Sequence, residues 1–309
     1  MRRCWPLILA AMVCPAWSVA QPGSVDGSFN VLDIGYGNGD GANDAVRSIA
    51  FQPDGKIVIG GYFTSYNGSP CNFIARLNAD GSMDDSFDTG TGADQAITCT
   101  IIQPDGKMVL GGNFTSLNGI PCGHMARLNS DGSMDGGFNQ GTGADNSLWA
   151  IARQPDGAMI IAGGFSSYNG TGRNHVARIL ADGSLDTAFD PGSGTDGVVK
   201  AIALQPDGKI LLGGIFNTFN GLPSANIARI NTDGSLDNTF QIGAGPDSYV
   251  TSIAVQPDGK VIVGGYFTLF NGIMANRITR LNADGSVDST FNSGTGASNN
   301  VWATAIQPD

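Results

Sequence analysis

The sequence predicts an all-β protein, a β-propeller built of four-stranded blades. Three observations predict it: one turn recurs every 51 residues, short apolar runs alternate with turns, and no window has sustained helical periodicity. The turn "QPDGK" or "QPDGA" occupies 52–56, 103–107, 154–158, 205–209 and 256–260, and the chain stops inside a further copy at 307–309. We expect five complete 51-residue repeats plus partial terminal strands, in an incomplete ring of six or more blades.

Each repeat begins with two apolar runs that flank the Pro-Asp-Gly turn, as in "VKAIALQPDG" followed by "KILLGGIF". Pro presets φ, and Asp and Gly tolerate the remaining turn geometry, so the two runs predict a β-hairpin. A connection that contains Asn-Gly leads to a third run such as "ANIARIN". A second Asp-Gly turn then leads to a short fourth run that ends in Phe. The pattern therefore predicts four strands per repeat.

Two phenylalanine positions recur once per repeat and predict the packing between blades. The first position holds Phe63, Phe114, Phe165, Phe216 and Phe267, and the second holds Phe29, Phe87, Phe138, Phe189, Phe240 and Phe291.

An arginine recurs in the third run, between apolar neighbours, where its guanidinium should be partly buried and need a carboxylate. The nearest repeated carboxylate is the Asp of the following Ser-x-Asp, for example Asp84 for Arg76. We expect structural ion pairs here; a ring of arginines that binds an anion is the alternative. The arginines are Arg76, Arg127, Arg178, Arg229 and Arg280.

The string I-A-x-Q-P-D-G-K-I-x-x-G-G-x-F, followed by I-A-R-L-N-x-D-G-S-x-D-x-x-F, resembles the bacterial delta-60 repeat. The resemblance covers residues 24–309. It implies a propeller-type domain of exported or surface proteins. It carries no established activity, so it transfers no catalytic residue to this chain.

Residues 1–20 have the features of a secretory signal peptide: Arg2 and Arg3, an apolar stretch, and small residues before Gln21. A membrane anchor is the alternative, but the apolar stretch is too short and Pro6 and Pro15 interrupt it. We expect 21–309 to form the repeat domain and the protein to be secreted, extracellular or on the cell surface, with the periplasm as a further possibility. No later segment reaches the length of a membrane span.

The chain has 16 basic and 27 acidic residues, and every acid is Asp. Removal of the leader would leave 14 basic residues and a net charge of −13. So acidic a protein is repelled by phosphate backbones, which argues against a nucleic-acid partner. The abundant Asp, with 46 Gly and 14 Pro, favours tight turns over helices.

Residues that could support metal chemistry are few, and we predict no cofactor, with calcium as the alternative. His124 and His175 hold one repeat position and are too few to predict a zinc site. In the expanded first loop, Asp33, Asp40 and Asp44 alternate with Gly and are weak calcium candidates. The Gly-rich "GTGAD" stretches precede strands and lack the Lys of a phosphate-binding loop.

One repeat position, five residues before the turn glutamine, varies in a way that suggests a binding face. It is occupied by Arg47, Thr98, Trp149, Lys200, Thr251 and Trp302. Arg47, Trp149, Lys200 and Trp302 are therefore candidate ligand contacts. The sequence favours a scaffold that binds a protein or glycan partner. The alternative is a propeller hydrolase or lyase that acts on a carbohydrate or lactone, but most carboxylates occupy repeat positions instead of converging on one site.

Overall fold

The computed structural model describes residues 28–30 and 41–307, which form five equivalent β-blades. The predicted leader lies outside these residues. Blade 1 contains β1 (Val46–Phe51), β2 (Ile57–Gly61), β3 (Ser65–Tyr66), β4 (Ser69–Pro70) and β5 (Ile74–Leu77). Blade 2 contains β6 (Ile97–Ile102), β7 (Met108–Gly112), β8 (Ser116–Leu117), β9 (Ile120–Pro121) and β10 (Met125–Leu128).

The other three blades repeat this order. Blade 3 contains β11 (Leu148–Arg153), β12 (Met159–Gly163), β13 (Ser167–Tyr168), β14 (Thr171–Gly172) and β15 (Val176–Ile179). Blade 4 contains β16 (Val199–Leu204), β17 (Ile210–Gly214), β18 (Thr218–Phe219), β19 (Leu222–Pro223) and β20 (Ile227–Ile230). Blade 5 contains β21 (Val250–Val255), β22 (Val261–Gly265), β23 (Leu269–Phe270), β24 (Ile273–Met274) and β25 (Ile278–Leu281).

The main sheet of each blade is antiparallel and three-stranded, with the order β1-β2-β5 in blade 1. The predicted hairpin at the Pro-Asp-Gly turn is confirmed. Gln52 N–H donates to Lys56 O at 2.8 Å, and Gly55 has a φ of 84° that suits glycine. Asp54 Oδ1 also accepts the Lys56 N–H at 3.1 Å, which explains the Asp of the turn.

The predicted fourth run pairs antiparallel with the third main strand of its blade, but through a single bridge, such as Leu77 to Met83. The backbone turns away at Asp84, whose Oδ1 accepts the Ser86 N–H at 3.1 Å, and Phe87 N–H then donates to Asp84 O. The Asn-Gly connection, in contrast, is more regular than expected. It forms the small hairpin of β3 and β4, with Asn67 and Gly68 at positive φ.

Neighbouring blades are joined by a backbone hydrogen bond just after the second Phe of each repeat. Asp88 N–H donates to Asp131 O of the next blade at 2.9 Å, and Asp190 N–H donates to Asp233 O at 2.8 Å. Asn30 N–H makes the same bond to Asp80 O at 2.5 Å. Residues 28–30 therefore contact blade 1 as the end of a preceding blade would.

The first phenylalanine position is buried in every blade, at 2% exposure or less, as predicted. The second is buried in the middle of the series, at Phe138, Phe189 and Phe240. Phe29 is instead 42% exposed. On β1 the apolar side chains of Ile49 and Phe51 are also exposed, because none of the described residues packs over that face as each blade packs over the next.

The predicted Arg–Asp pairing is confirmed in all five blades. Arg229 Nε lies 2.7 Å from Asp237 Oδ2, and both side chains are buried. Lys209 Nζ lies 2.8 Å from the same oxygen. Arg229 also reaches the next blade, where its Nη1 donates to Ala283 O at 2.5 Å, and its guanidinium lies 4.6 Å from the Phe240 ring centroid. These arginines therefore hold adjacent blades together and do not form an anion-binding ring.

Candidate functional site: the axial pocket

The variable repeat position lies on a β-bulge in the first strand of every blade. The pairing of β1 with β2 runs from Val46 opposite Gly61 to Ser48 opposite Gly60, which leaves Arg47 as an extra residue. The same shift occurs in β6, β11, β16 and β21. A bulge changes the direction of the side chain at the extra residue, and bulges often lie beside active sites.

The glycine that pairs with the residue before each bulge, Gly61 in blade 1 and Gly163 in blade 3, makes this bulge possible. A Cβ built on Gly112 would overlap the carbonyl oxygen of Ala96, and one built on Gly214 would overlap that of Val198. Any side chain at these positions would force the two strands apart. This glycine is thus explained by the close approach of two backbones.

The five residues on these bulges and Trp302 line one pocket of about 150 Å³. Its lining consists of Arg47, Thr98, Trp149, Lys200, Thr251 and Trp302. The structure therefore brings together all four predicted ligand-contact residues, although successive members are 51 positions apart in the sequence. Residues 301–307 supply the sixth inner segment of the ring: Thr251 Oγ1 donates to Val301 O at 2.6 Å.

Each of the two cations in the pocket lies over an indole. Arg47 is 5.1 Å from the centroid of the Trp302 ring, and Lys200 Nζ is 4.1 Å from that of the Trp149 ring. These are cation–π distances, which hold the cations in place without neutralising them. Burial, and then the charge of Arg47, lower the pKa of Lys200 below its ordinary value.

The pocket has approximate two-fold symmetry that the sequence analysis missed. In ring order the column reads cation, threonine, tryptophan, and then the same three classes again. The two threonines make matching bonds: Thr98 Oγ1 donates to Leu148 O at 2.5 Å, as Thr251 Oγ1 does to Val301 O. The repeated order of cation, threonine and tryptophan is visible in the sequence. It indicates two-fold symmetry only once the six positions are known to surround one axis.

The five segments 52–87, 103–138, 154–189, 205–240 and 256–291 match the family described as "Domain of unknown function (DUF5122) beta-propeller". The chain belongs to the DUF5122 beta-propeller family. No curated protein sequence matches it. The matched segments include the Arg–Asp pairs but not the pocket residues, which lie in the stretches between them.

Solved structures are similar to this DUF5122 chain, and one of them is a beta-propeller domain with a TM-score above 0.5. The WD40 beta-propeller domain of Doa1 is 15% identical with a TM-score of 0.56, covering 84% of this chain and 71% of that one. A catalytically inactive virginiamycin B lyase from Staphylococcus aureus is 18% identical with a TM-score of 0.49, covering 84% and 73%. At these identities the similarity concerns the fold alone.

Of the predicted calcium candidates of this DUF5122 chain, Asp44 alone belongs to the described residues. Asp33 and Asp40 lie outside the described residues, while Asp44 is exposed and its Oδ1 accepts the Ala45 N–H at 2.6 Å. Calcium at this loop stays a prediction. No cluster of three or more potential metal ligands occurs among the described residues. The described part of the chain also contains no helix long and apolar enough to cross a membrane.

The histidine position has a conformational explanation in this DUF5122 chain. Phe73, His124, His175, Asn226 and Arg277 all have φ between 59° and 68°, in the left-handed region. The His175 Nδ1 is 2.9 Å from Thr195 O. This position turns the backbone into the third main strand of the blade. The three cysteines within the described residues, Cys71, Cys99 and Cys122, are free, and burial raises the pKa of the Cys99 thiol to about 12, which makes it a poor nucleophile.

Proposed function

We propose that this DUF5122 propeller is an exported binding module whose ligand, a glycan or protein partner, enters the axial pocket. The observation that carries the proposal is the pocket itself. A repeat position that varies in side chain, inside an otherwise repetitive frame, forms one continuous surface in space. Repeat proteins build binding sites in this way, with a fixed scaffold and a variable face.

The chemistry of the pocket favours binding over catalysis. Among the described residues the lining contains two cations, two indoles and two threonines, but no carboxylate, histidine or cysteine. General acid–base catalysis by a hydrolase or lyase needs a titratable group near neutral pH at the substrate. The two threonine hydroxyls donate to backbone carbonyls and have no adjacent base in the lining.

Export rests on the predicted leader at 1–20, and the resemblance to the delta-60 repeat supports it. We propose a location outside the cytoplasm: secreted, at the cell surface or in the periplasm. The acidity of the chain supports a partner other than a nucleic acid.

Tryptophan fluorescence tests the proposal directly, because the chain has four tryptophans and two of them, Trp5 and Trp17, belong to the predicted leader. The exported protein would then report only on Trp149 and Trp302, both in the pocket. We expect a soluble glycan or peptide from a screen to change this fluorescence saturably, and Trp149→Phe and Trp302→Phe each to remove part of the change.

Met274→Lys is a matched control, because Met274 is 75% exposed on the outer hairpin of blade 5. It should leave binding unchanged. The proposal is contradicted if no glycan or peptide alters the fluorescence. It is also contradicted if calorimetry detects a ligand that leaves the fluorescence unchanged and no longer binds to the Met274→Lys variant.

A further inference from the structure

The pocket is a positively charged site in an acidic protein. The whole chain has a net charge of −11, yet both charged residues in the lining are cations. Within the described residues neither Arg47 nor Lys200 forms an ion pair, whereas nine other lysines and arginines do. Lys200 is partly buried without a carboxylate partner, and a cation in such a position is stabilised by an anion, whereas Arg47 is exposed to solvent.

The two cations are placed to act together. They are three repeats apart in a ring of six inner segments, so they stand on opposite sides of the axis. The Arg47 guanidinium lies 5.1 Å from the Trp302 ring centroid, and Lys200 Nζ lies 4.1 Å from the Trp149 ring centroid. These ring contacts leave the N–H donors of both cations available. Burial and, after it, the charge of Arg47 lower the pKa of Lys200, as expected for two like charges that face one pocket.

The size of the pocket limits what can lie between the cations. About 150 Å³ is the volume of a cavity that holds one six-membered ring. It is below the 300 Å³ or more typical of sites that enclose a drug-sized ligand. Only a small ligand, or the terminal unit of a longer one, therefore fits.

We propose that the axial pocket binds the carboxylate of a small acidic ligand, a uronate sugar or a free dicarboxylate, between Arg47 and Lys200. The guanidinium fork matches the geometry of a carboxylate, and the ammonium supplies a second charge-assisted bond. The indoles and threonines line the remaining sides. This inference rests on the proposed binding function and names its ligand chemistry.

Calorimetric titration of the exported protein with digalacturonate, succinate and the neutral disaccharide galactobiose tests the inference. We expect digalacturonate or succinate to bind and galactobiose not to bind. Tighter binding of digalacturonate would indicate a uronate sugar, and tighter binding of succinate would indicate a free dicarboxylate. Arg47→Met and Lys200→Met should each weaken that binding at least about tenfold, the scale of a lost hydrogen bond to a charged group. Arg173→Met, which removes a cation outside the pocket, should leave it unchanged.

Circular dichroism and thermal unfolding would show that the variants remain folded. The inference is overturned if galactobiose binds as tightly as digalacturonate, or if folded Arg47→Met and Lys200→Met bind the acids like the parent. Tighter binding of a Glu-Glu peptide than of either acid would also overturn it, in favour of a protein partner. A tryptophan response to neutral ligands alone would leave the binding function standing and refute only the carboxylate.

Discussion

The guanidinium of Arg47 lies 5.1 Å from the ring centroid of Trp302, which joins the first repeat to the segment after the fifth. These residues are 255 positions apart, yet they stand side by side at the end of the axis. Tyr266 packs edge-on against the same indole at a centroid distance of 5.2 Å. The contact closes the inner ring and, in the same place, completes the candidate site.

The buried Arg–Asp pairs should be a main source of stability. Arg229→Met would leave Asp237 buried with only Lys209 as a charged partner and remove the bond to Ala283 O in the next blade. We expect a loss of about 3–5 kcal/mol in the free energy of unfolding, the scale for breaking a buried pair. Urea denaturation measures it. Arg178→Met removes a more exposed pair and should lower the free energy of unfolding by less. If both variants lost the same small amount, the stabilising role of the buried pair would be contradicted.

Stability should fall in acid because several aspartates have lowered pKa values in the folded state. The hydrogen bond from Lys107 is the largest cause that lowers the pKa of Asp135 to about 2, against the opposing effect of burial. The pKa of an Asp side chain in the unfolded chain is about 3.9. The stability that comes from the ionised Asp135 is therefore complete above about pH 4 and is lost as the pH falls towards about 2. Urea unfolding across this range should show the decline, less steeply for Asp135→Asn. An unchanged free energy down to pH 2 would contradict it.

Blade 3 lacks the lysine that the other blades place on the pairing aspartate, because Ala158 follows its turn. Ala158→Lys should place an ammonium on Asp186, as Lys209 does on Asp237 at 2.8 Å. Such lysines are about 30% exposed, so we expect a gain of only about 0.2–1 kcal/mol. Urea denaturation at low and high salt checks it. Destabilisation, or a gain that salt does not reduce, would count against this geometry.

The bulge should depend on the glycine that faces it. Gly112→Ala would place a Cβ against the Ala96 carbonyl, so the strands must shift, and overpacking of this kind costs about 1–3 kcal/mol. Gly136→Ala is the matched control, since a Cβ at Gly136 meets no atom within 4 Å. Thermal unfolding of both variants tests the expectation. A Gly112→Ala protein as stable as Gly136→Ala would show that the bulge tolerates a side chain.

The sequence predicted the repeat, the Pro-Asp-Gly hairpin, the phenylalanine packing and the Arg–Asp pairs, because each depends on residue types at a fixed spacing. It also singled out Arg47, Trp149, Lys200 and Trp302 as one repeat position, and they lie together because equivalent repeat positions occupy equivalent places around an axis. That they contact a ligand stays a prediction. The sequence did not predict the bulge at Arg47, because a bulge depends on the register between two strands. It also missed the β3–β4 hairpin, whose two-residue strands leave too short a pattern to recognise.

The closure of the inner ring is the central claim, and pulsed electron paramagnetic resonance tests it most directly. Nitroxide pairs at 47 and 302, and at 47 and 200, would be compared in a Cys71→Ser background, because Cys99 and Cys122 are buried. A ring in which Arg47 adjoins Trp302 and faces Lys200 predicts a shorter distance for 47–302 than for 47–200. Blades stacked end to end would give the opposite order, with 47–302 the longer, and that result would contradict both the fold and the site.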